Sequence, residues 1–313
     1  MKRVRTGLVM VSVVATLNVG GVAFAANYVL PWADGGAGAS DFEVKIGGNC
    51  GATGLTFRDN EDYGFDTASL LTVGGTTVGA SATLVDVTTV GTDSIATHSE
   101  NIGDLTVEVS YRFTDDNIAR TLVTITNNGA TASTGLTVSM VYDHGDVFAV
   151  RSVDGGTWRG SGDWFVMSEN GVASNVFDNY KAVFHMPDGP GSPESPASLV
   201  ECAGPALSLS SVTETIVYSY LVDIPAGESR RIMTLQGMAP TADGVTTGVQ
   251  NYSPASMTPG SGILDDLSAE DASTVVNWVF DGSGSGDDQP SYDIDIDIDI
   301  SNYTRESDLP DTL

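Results

Sequence analysis

Apolar and polar residues alternate with a period of two in the centre of the chain, most clearly over residues 105–113. An alternation of this kind is typical of a β-strand that buries one face and exposes the other. The segment therefore predicts a strand whose inward side chains are Leu105, Val107, Val109, Tyr111 and Phe113.

The same pattern continues beyond short polar turns. Residues 115–117 predict a turn, and residues 119–126, rich in Thr, Val and Ile, predict the returning strand. The run Asn-Asn-Gly at 127–129 ends that strand, because asparagine and glycine tolerate the left-handed backbone of a tight reversal. Residues 136–142 repeat the alternation, so the three segments predict an antiparallel meander.

A second pair of strands is predicted at 215–223 and 229–235, joined by Pro-Ala-Gly-Glu at 225–228. Many short strands with glycine-rich turns and little helix predict an all-β fold, a large antiparallel β-sandwich built as one domain or two. The weaker predicted strands are 42–47, 52–57, 69–74, 82–89, 145–151, 163–168, 180–186 and 205–211.

A single helix is predicted late in the chain. Ser268 and Asp271 form a capping-box pattern, and Leu267 before the cap can pack on Ala272. We expect the helix to pack on the sandwich, with a partner-binding helix as the alternative. Its other apolar residues at helical spacing are Val275, Val276 and Val279.

The first 25 residues have the three parts of a secretory signal peptide. Basic residues at positions 2, 3 and 5 precede an apolar stretch from Leu8 to Val22, and Ala23-Phe24-Ala25 supplies the small residues of a cleavage site. An uncleaved anchor is the alternative, but the apolar stretch is shorter than the ~20 residues that a membrane span needs. We expect cleavage near Ala25, no membrane anchor afterwards, and a secreted or periplasmic protein.

The rest of the chain divides by composition. Residues 26–281 carry the strand pattern, 282–290 form a Gly/Ser-rich linker, and 291–313 form a low-complexity tail with four Asp-Ile repeats. As a strand, the tail would place its aspartates on one side and its isoleucines on the other. We expect one of two states for the tail. It is either solvated, or ordered as a strand that binds cations or extends a sheet.

Acidic residues dominate the charge. Aspartate and glutamate number 41 against 13 lysines and arginines, and without the leader ten basic residues remain, a net charge of −31. Binding a polyanion requires a basic surface, so nucleic acid is excluded as a partner. An acidic surface of this kind suits a protein from a saline habitat. The alternative is that it binds divalent cations, and calcium is then the candidate cofactor.

Two cysteines, Cys50 and Cys202, have no metal-type spacing. In an oxidising compartment an even pair of this kind predicts one disulfide, which would join early strands to late ones. Two buried free thiols are the alternative.

An acidic segment at 59–66 begins like a calcium loop, with oxygen-bearing side chains at alternate positions and glycine sixth. The twelfth position is Leu70 where an EF-hand requires glutamate, so an EF-hand is rejected. An irregular calcium site remains a hypothesis, and a hydrated acidic turn is the alternative. Its ligands would be Asp59, Glu61, Asp62 and Asp66.

His144 lies between carboxylates, with Asp143 before it and Asp146 two residues after it. An imidazole beside carboxylates can bind a transition metal or act as a base. Because the predicted third strand ends at Tyr142, we expect His144 in a loop, where a plain surface turn is the alternative to a metal site.

Trp158, Arg159, Asp163 and Trp164 are the best candidates for ligand contact, in a glycine-rich stretch. Indole faces stack on sugar rings, and the polar neighbours can bond hydroxyl groups. The alternative is that the indoles anchor the loop in the core.

Three functions are compatible with these features. The first is a non-catalytic extracellular β-sandwich for structure, adhesion or polysaccharide binding, with a polysaccharide or a cell-surface component as partner. The second is a secreted hydrolase or lyase acting on polysaccharide, and the third is a calcium-dependent module. The absence of a recognisable catalytic motif favours the first.

Overall fold

The computed structural model describes residues 28–29, 42–59, 64–81, 86–90, 93–114, 118–153, 165–169, 182–189, 192, 196–200, 202, 212–239 and 257–280. The described residues form fifteen strands, a one-turn 3-10 helix at Gly262–Leu264 and a helix α1 at Ala269–Ser273. The strands are β1 Tyr28–Val29, β2 Phe42–Asn49, β3 Ala52–Asp59, β4 Thr67–Val73, β5 Thr76–Thr77, β6 Asp86–Val90, β7 Asp93–Ile102, β8 Leu105–Phe113, β9 Ile118–Asn127, β10 Ser133–Val153, β11 Phe165–Glu169, β12 Ala182–Met186, β13 Ser198–Val200, β14 Val212–Ile224 and β15 Ser229–Ala239.

The strands form two antiparallel sheets that share β10. The first sheet has the order β1-β2-β3-β4-β10-β14-β13, with β5 beside β4, and the second has the order β11-β12-β15-β9-β8-β7-β6. The second sheet joins the first where β11 pairs with the late part of β10. This arrangement confirms the predicted all-β sandwich, and the 105–113 alternation is strand β8.

β10 passes from one sheet to the other through an irregularity in its pairing. Asp143 lies opposite Thr215 on β14, but the next paired residue is Phe148, opposite Thr213. Residues 144–147 are thus bulged out opposite the single residue Glu214. Bulges bend a strand and allow it to change sheets at the corner of a sandwich. The sequence instead predicted two strands, 136–142 and 145–151, separated by a loop.

The core lies between the sheets and is made by the inward residues of the alternating strands. Phe57 of β3 in the first sheet and Tyr111 of β8 in the second have ring centroids 5.5 Å apart. This contact and the burial of Val109 and Tyr111 confirm the inward face predicted for β8.

A second apolar cluster lies on the outer face of the second sheet. Residues 257–280 cover the outward side chains of β9, β12 and β15 there, with Leu264 and Trp278 buried. Two buried arginines of the sheet bind residues 257–280. Arg112 bonds Asp93 and Asp265, and Arg120 makes a bidentate ion pair with Asp266 at 2.6 Å. The C-terminal segment is therefore fastened to the sheet by both apolar contacts and charge.

The predicted late helix begins where the capping pattern placed it, but it ends earlier than predicted. Ser268 caps α1 by accepting from the backbone N–H of Asp271 at 3.0 Å, as the capping pattern predicted. The helix ends at Ser273 because the following backbone pairs with β15. Arg231 donates to the Thr274 carbonyl at 2.8 Å, and Val276 donates to the Arg231 carbonyl at 2.9 Å. The helical positions predicted for Val275, Val276 and Val279 are therefore wrong.

Cys50 and Cys202 form a disulfide, as predicted, with Cα atoms 5.4 Å apart across 152 residues of sequence. The bond joins the β2–β3 turn to the segment between β13 and β14. The described residues all belong to one compact unit, Met1–Ser283. The predicted leader, linker and tail, and the strand predicted at 205–211, lie outside the described residues.

Among the described residues, none of the helices has the length and apolar character needed to span a bilayer.

Candidate functional site

The bulge in β10 turns His144 into the core. Its side chain is 2% exposed, and its Nδ1 lies 3.0 Å from the backbone carbonyl oxygen of Glu214, the residue opposite the bulge. The prediction of a surface turn is wrong because β10 does not end at Tyr142. The strand continues, and the imidazole hydrogen-bonds the carbonyl of Glu214, which has no paired residue on β10.

His144 meets a second histidine from the other sheet. Its Nε2 lies 2.9 Å from Nε2 of His185, which is fully buried at an inward position of β12. The Nδ1 of His185 in turn hydrogen-bonds the hydroxyl of Tyr218 on β14. The sequence did not predict that His185 or Tyr218 lies near His144. The feature that could have suggested the contact is that both residues occupy inward positions on their strands.

The geometry determines which nitrogen carries each proton. A carbonyl oxygen only accepts, so His144 Nδ1 must donate to Glu214, and the neutral imidazole then has a lone pair on Nε2. His185 Nε2 must therefore donate to His144 Nε2, which leaves the Nδ1 of His185 as the acceptor of the Tyr218 O–H. The four groups, Tyr218, His185, His144 and the Glu214 carbonyl, form a one-directional chain, the histidine relay.

Aromatic rings enclose the relay. Phe148 lies 4.8 Å from His144 and Phe65 lies 5.5 Å from His185, both measured between ring centroids. Burial lowers the pKa of His144 to about 4, against an opposing effect of the hydrogen bond to the Glu214 carbonyl. Burial, reinforced by the neighbouring His144, also lowers the pKa of His185 well below its ordinary value. Both rings are therefore neutral and enclosed at physiological pH.

Asp143, next to His144, belongs to a different environment. Its carboxylate is half-buried and accepts a hydrogen bond from the Asn49 side-chain amide, whose nitrogen also lies 3.4 Å from the Thr215 hydroxyl. Asn49 directly precedes Cys50 of the disulfide. Successive residues of a strand point to opposite faces, so Asp143 joins the disulfide region while His144 joins the core.

The metal sites predicted from sequence are only partly covered by the described residues. No group of three or more His, Cys, Asp or Glu side chains suited to a metal lies within them. A metal on His144 would have to replace the bond from His185. The side chains of Asp59 and Asp146, and the whole of Glu61 and Asp62, lie outside the described residues, so both cation sites stay predictions.

Asp66, the last ligand of the predicted calcium site, is half-buried. Its backbone N–H donates to the Asp143 carbonyl at 2.9 Å. This bond places the end of the acidic segment beside the bend of β10.

The tryptophan-bearing stretch lies outside the described residues, but both of its flanks lie within them. Val153 at the end of β10 pairs with Phe165 at the start of β11. Residues 154–164 are therefore the connection between two neighbouring antiparallel strands. This connection carries Trp158, Arg159, Asp163 and Trp164.

A second buried polar group, which sequence reasoning missed, surrounds Tyr142. The Tyr142 hydroxyl lies 3.1 Å from the Thr234 hydroxyl, and burial raises its pKa to about 12. Polar side chains close to the hydroxyl lower the pKa and so oppose that rise; they are those of Thr234, Ser69, Thr121 and Gln236. The sequence could have indicated this group through β15, where every second residue faces inward and two of these residues are polar. The inward residues are Ile232, Thr234, Gln236 and Met238.

These features define an all-β sandwich protein of two antiparallel sheets with a buried histidine–tyrosine cluster. No protein-family model matches the chain, and no curated protein matches it. Several solved structures are similar to it at low sequence identity, all with TM-scores below 0.5.

Three of these structures illustrate the range. A Synechocystis protein has a TM-score of 0.36 and 9% identity, over 71% of this chain and 100% of its own. A heparan sulfate lyase from Pedobacter heparinus has a TM-score of 0.39 and 7% identity, over 65% of this chain and 33% of its own. A galactose mutarotase related enzyme from Lactobacillus acidophilus has a TM-score of 0.33 and 9% identity, over 70% of this chain and 99% of its own.

Proposed function

We propose that this protein is a non-catalytic, secreted or periplasmic β-sandwich that binds polysaccharide, free or at a cell surface, through the connection 154–164. The observation that carries the proposal is the pairing of Val153 with Phe165. It brings both ends of the connection to neighbouring positions on β10 and β11.

The residues in that connection suit a sugar. Trp158 and Trp164 offer flat apolar faces for pyranose rings, and Arg159 and Asp163 offer a donor and an acceptor for hydroxyl groups. Binding sites on connections between rigid strands are common, because the scaffold positions them while the loop sequence is free to vary.

A non-catalytic role is supported by how the acid–base side chains of the described residues are used. His144 and His185 are buried, neutral and bonded to each other, and Tyr218 donates into the same chain. A general base must reach the proton that it removes from a substrate. These three groups instead hold the two sheets together.

Export is supported by two independent features. The first 25 residues have the composition of a signal peptide. The Cys50–Cys202 disulfide is of the kind that persists in oxidising compartments. Calcium assistance of binding is part of the proposal, since the predicted loop site at 59–66 contains four acidic residues.

The test is a polysaccharide and glycan binding screen on the mature protein, with calcium and with chelator. The variants Trp158→Ala and Trp164→Ala are expected to weaken binding by about fivefold or more, since one stacked aromatic ring contributes about 1–3 kcal/mol. Leu221→Ala is the matched control, because Leu221 is an exposed apolar side chain on β14 and its loss should leave affinity unchanged.

Three outcomes would contradict the proposal. Binding that survives both tryptophan variants would place the ligand elsewhere, and the absence of binding to any polysaccharide would remove the function. New reducing ends or unsaturated products would favour the alternative, a polysaccharide hydrolase or lyase. Equal affinity in calcium and in chelator would remove only the calcium part.

A further inference from the structure

Five polar side chains, that of Tyr142 among them, meet between the sheets around the Tyr142 hydroxyl. Ser69 and Tyr142 come from the first sheet, on β4 and β10, and Thr121, Thr234 and Gln236 come from the second, on β9 and β15. All five are completely buried. We call this set the Tyr142 layer, and it is independent of the proposed polysaccharide site.

The layer contains more hydrogen-bonding atoms than it satisfies. Tyr142 and Thr234 bond each other at 3.1 Å. The Ser69 Oγ, the Thr121 Oγ1 and both polar atoms of the Gln236 amide are buried and make no hydrogen bond of ordinary length and angle, although these three side chains lie close enough to the Tyr142 hydroxyl to lower its pKa. Buried polar groups in proteins are almost always bonded to protein or to ordered water, so this concentration in one place needs a bonding partner.

The chemistry of the orphaned atoms specifies that partner. Hydroxyl groups donate and accept, and the amide has one donating and one accepting end, so a suitable partner must do both. None of the five side chains is charged, which disfavours an ion, and their polar atoms disfavour an apolar molecule. A water molecule donates twice and accepts twice, and buried waters typically make about three such bonds.

We propose that the Tyr142 layer is a binding site for ordered internal water, which bridges the Gln236 amide to the hydroxyls of Ser69 and Thr121. The bridge runs between the sheets, because Ser69 belongs to one and Thr121 and Gln236 to the other. The bound water therefore contributes to holding the sheets in register beside the histidine relay, whose His185 ring centroid is 5.3 Å from that of Tyr142.

The experiment measures long-lived water by ¹⁷O magnetic relaxation dispersion on the full mature protein. Thr121→Val keeps the shape of the side chain and removes the hydroxyl, and Gln236→Met keeps its length and removes the amide. Each variant is expected to lose the signal of at least one long-lived water relative to the unmodified protein. Thr124→Val is the matched control, because Thr124 lies on the same strand, half-buried on the outer face, and should lose none.

A crystal structure of the unmodified protein at atomic resolution tests the same site without depending on how the variants fold. Density for water within hydrogen-bonding distance of Gln236 and of Thr121 or Ser69 would support the proposal. Direct bonds from the Gln236 amide to these hydroxyls, with no water between them, would overturn it. An unchanged relaxation signal in folded Thr121→Val and Gln236→Met would overturn it as well.

Discussion

The Nε2 atoms of His144 and His185 lie 2.9 Å apart, although 41 residues separate them in sequence and they reach the core on different strands. His144 enters at the bend of β10, and His185 enters from β12 of the second sheet. The contact is therefore part of what joins the sheets. It also makes their junction sensitive to any change in the protonation of either ring.

We expect the protein to lose stability as the pH falls from neutrality. The folded pKa of His144, about 4, lies below the ordinary value of 6.5, so the unfolded chain binds more protons between these values. Its stabilising contribution is complete above pH 6.5 and is lost as the pH falls toward 4. Between pH 8 and pH 5, His144 alone should reduce the free energy of unfolding by about 2 kcal/mol.

Urea unfolding at intervals from pH 8 to pH 5 measures this loss. His98→Gln is the control, because His98 lies half-buried near the edge of the second sheet, 3.2 Å from Glu100, away from the relay. The part of the pH dependence that comes from the relay should remain in this variant. A free energy of unfolding that stays constant over this range in the unmodified protein would contradict the assignment of neutral, buried histidines.

Tyr218→Phe removes the hydroxyl that donates to His185. His185 then loses the hydrogen bond from Tyr218 inside the core, and we expect the free energy of unfolding to fall by about 1–3 kcal/mol. Imidazole ¹⁵N chemical shifts report the tautomers directly. In the unmodified protein at pH 7, His144 should carry its proton on Nδ1 and His185 on Nε2. Protonation of His144 on Nε2 would show that the direction of the relay is wrong.

Asp266→Asn breaks the two-pronged ion pair with Arg120, a side chain that is completely buried. Breaking a buried pair by removing one partner costs about 3–5 kcal/mol. Because the Asp266 carboxylate is partly exposed and solvent weakens the pair, we expect a smaller loss, of about 2 kcal/mol. Thermal or urea unfolding measures the change.

Glu228→Gln is the matched control for Asp266→Asn. Glu228 pairs with Arg230 at 2.9 Å, but its side chain is 53% exposed. A surface pair contributes at most about 1 kcal/mol, so the control should be close to the unmodified protein. Equal effects of the two variants would show that the arginine pairs do not fasten residues 257–280 to the sheet.

Removal of the disulfide by Cys50→Ser together with Cys202→Ser is expected to destabilise the fold strongly. The bond closes a loop of 152 residues, for which the chain-entropy model gives about 5 kcal/mol. Unfolding with and without reductant measures the loss. Mass spectrometry after alkylation checks the bond itself, since two labels without reductant would mean that the thiols are free.

Local sequence was sufficient for the strands that have one apolar face. β8 was predicted with the bounds that it has, and the second predicted pair corresponds to β14 and β15. β7 was missed, because its exposed end carries His98, Ser99 and Glu100 and shows no clear alternation. Its place in the sheet comes from pairing with β6 and β8, which no local window contains.

The sequence by itself determined the all-β class, the inward face of β8, the capped start of α1 and the two cysteines that pair. Each of these depends on residue spacing within one segment or, for the cysteines, on there being one possible pair. Tertiary structure alone decided that β10 continues past Tyr142, that α1 ends at Ser273, and that His144 is buried against His185. The physical reason is that these features depend on backbone groups of distant strands, the Glu214 carbonyl and the Arg231 peptide, whose positions are set only when the sheets assemble.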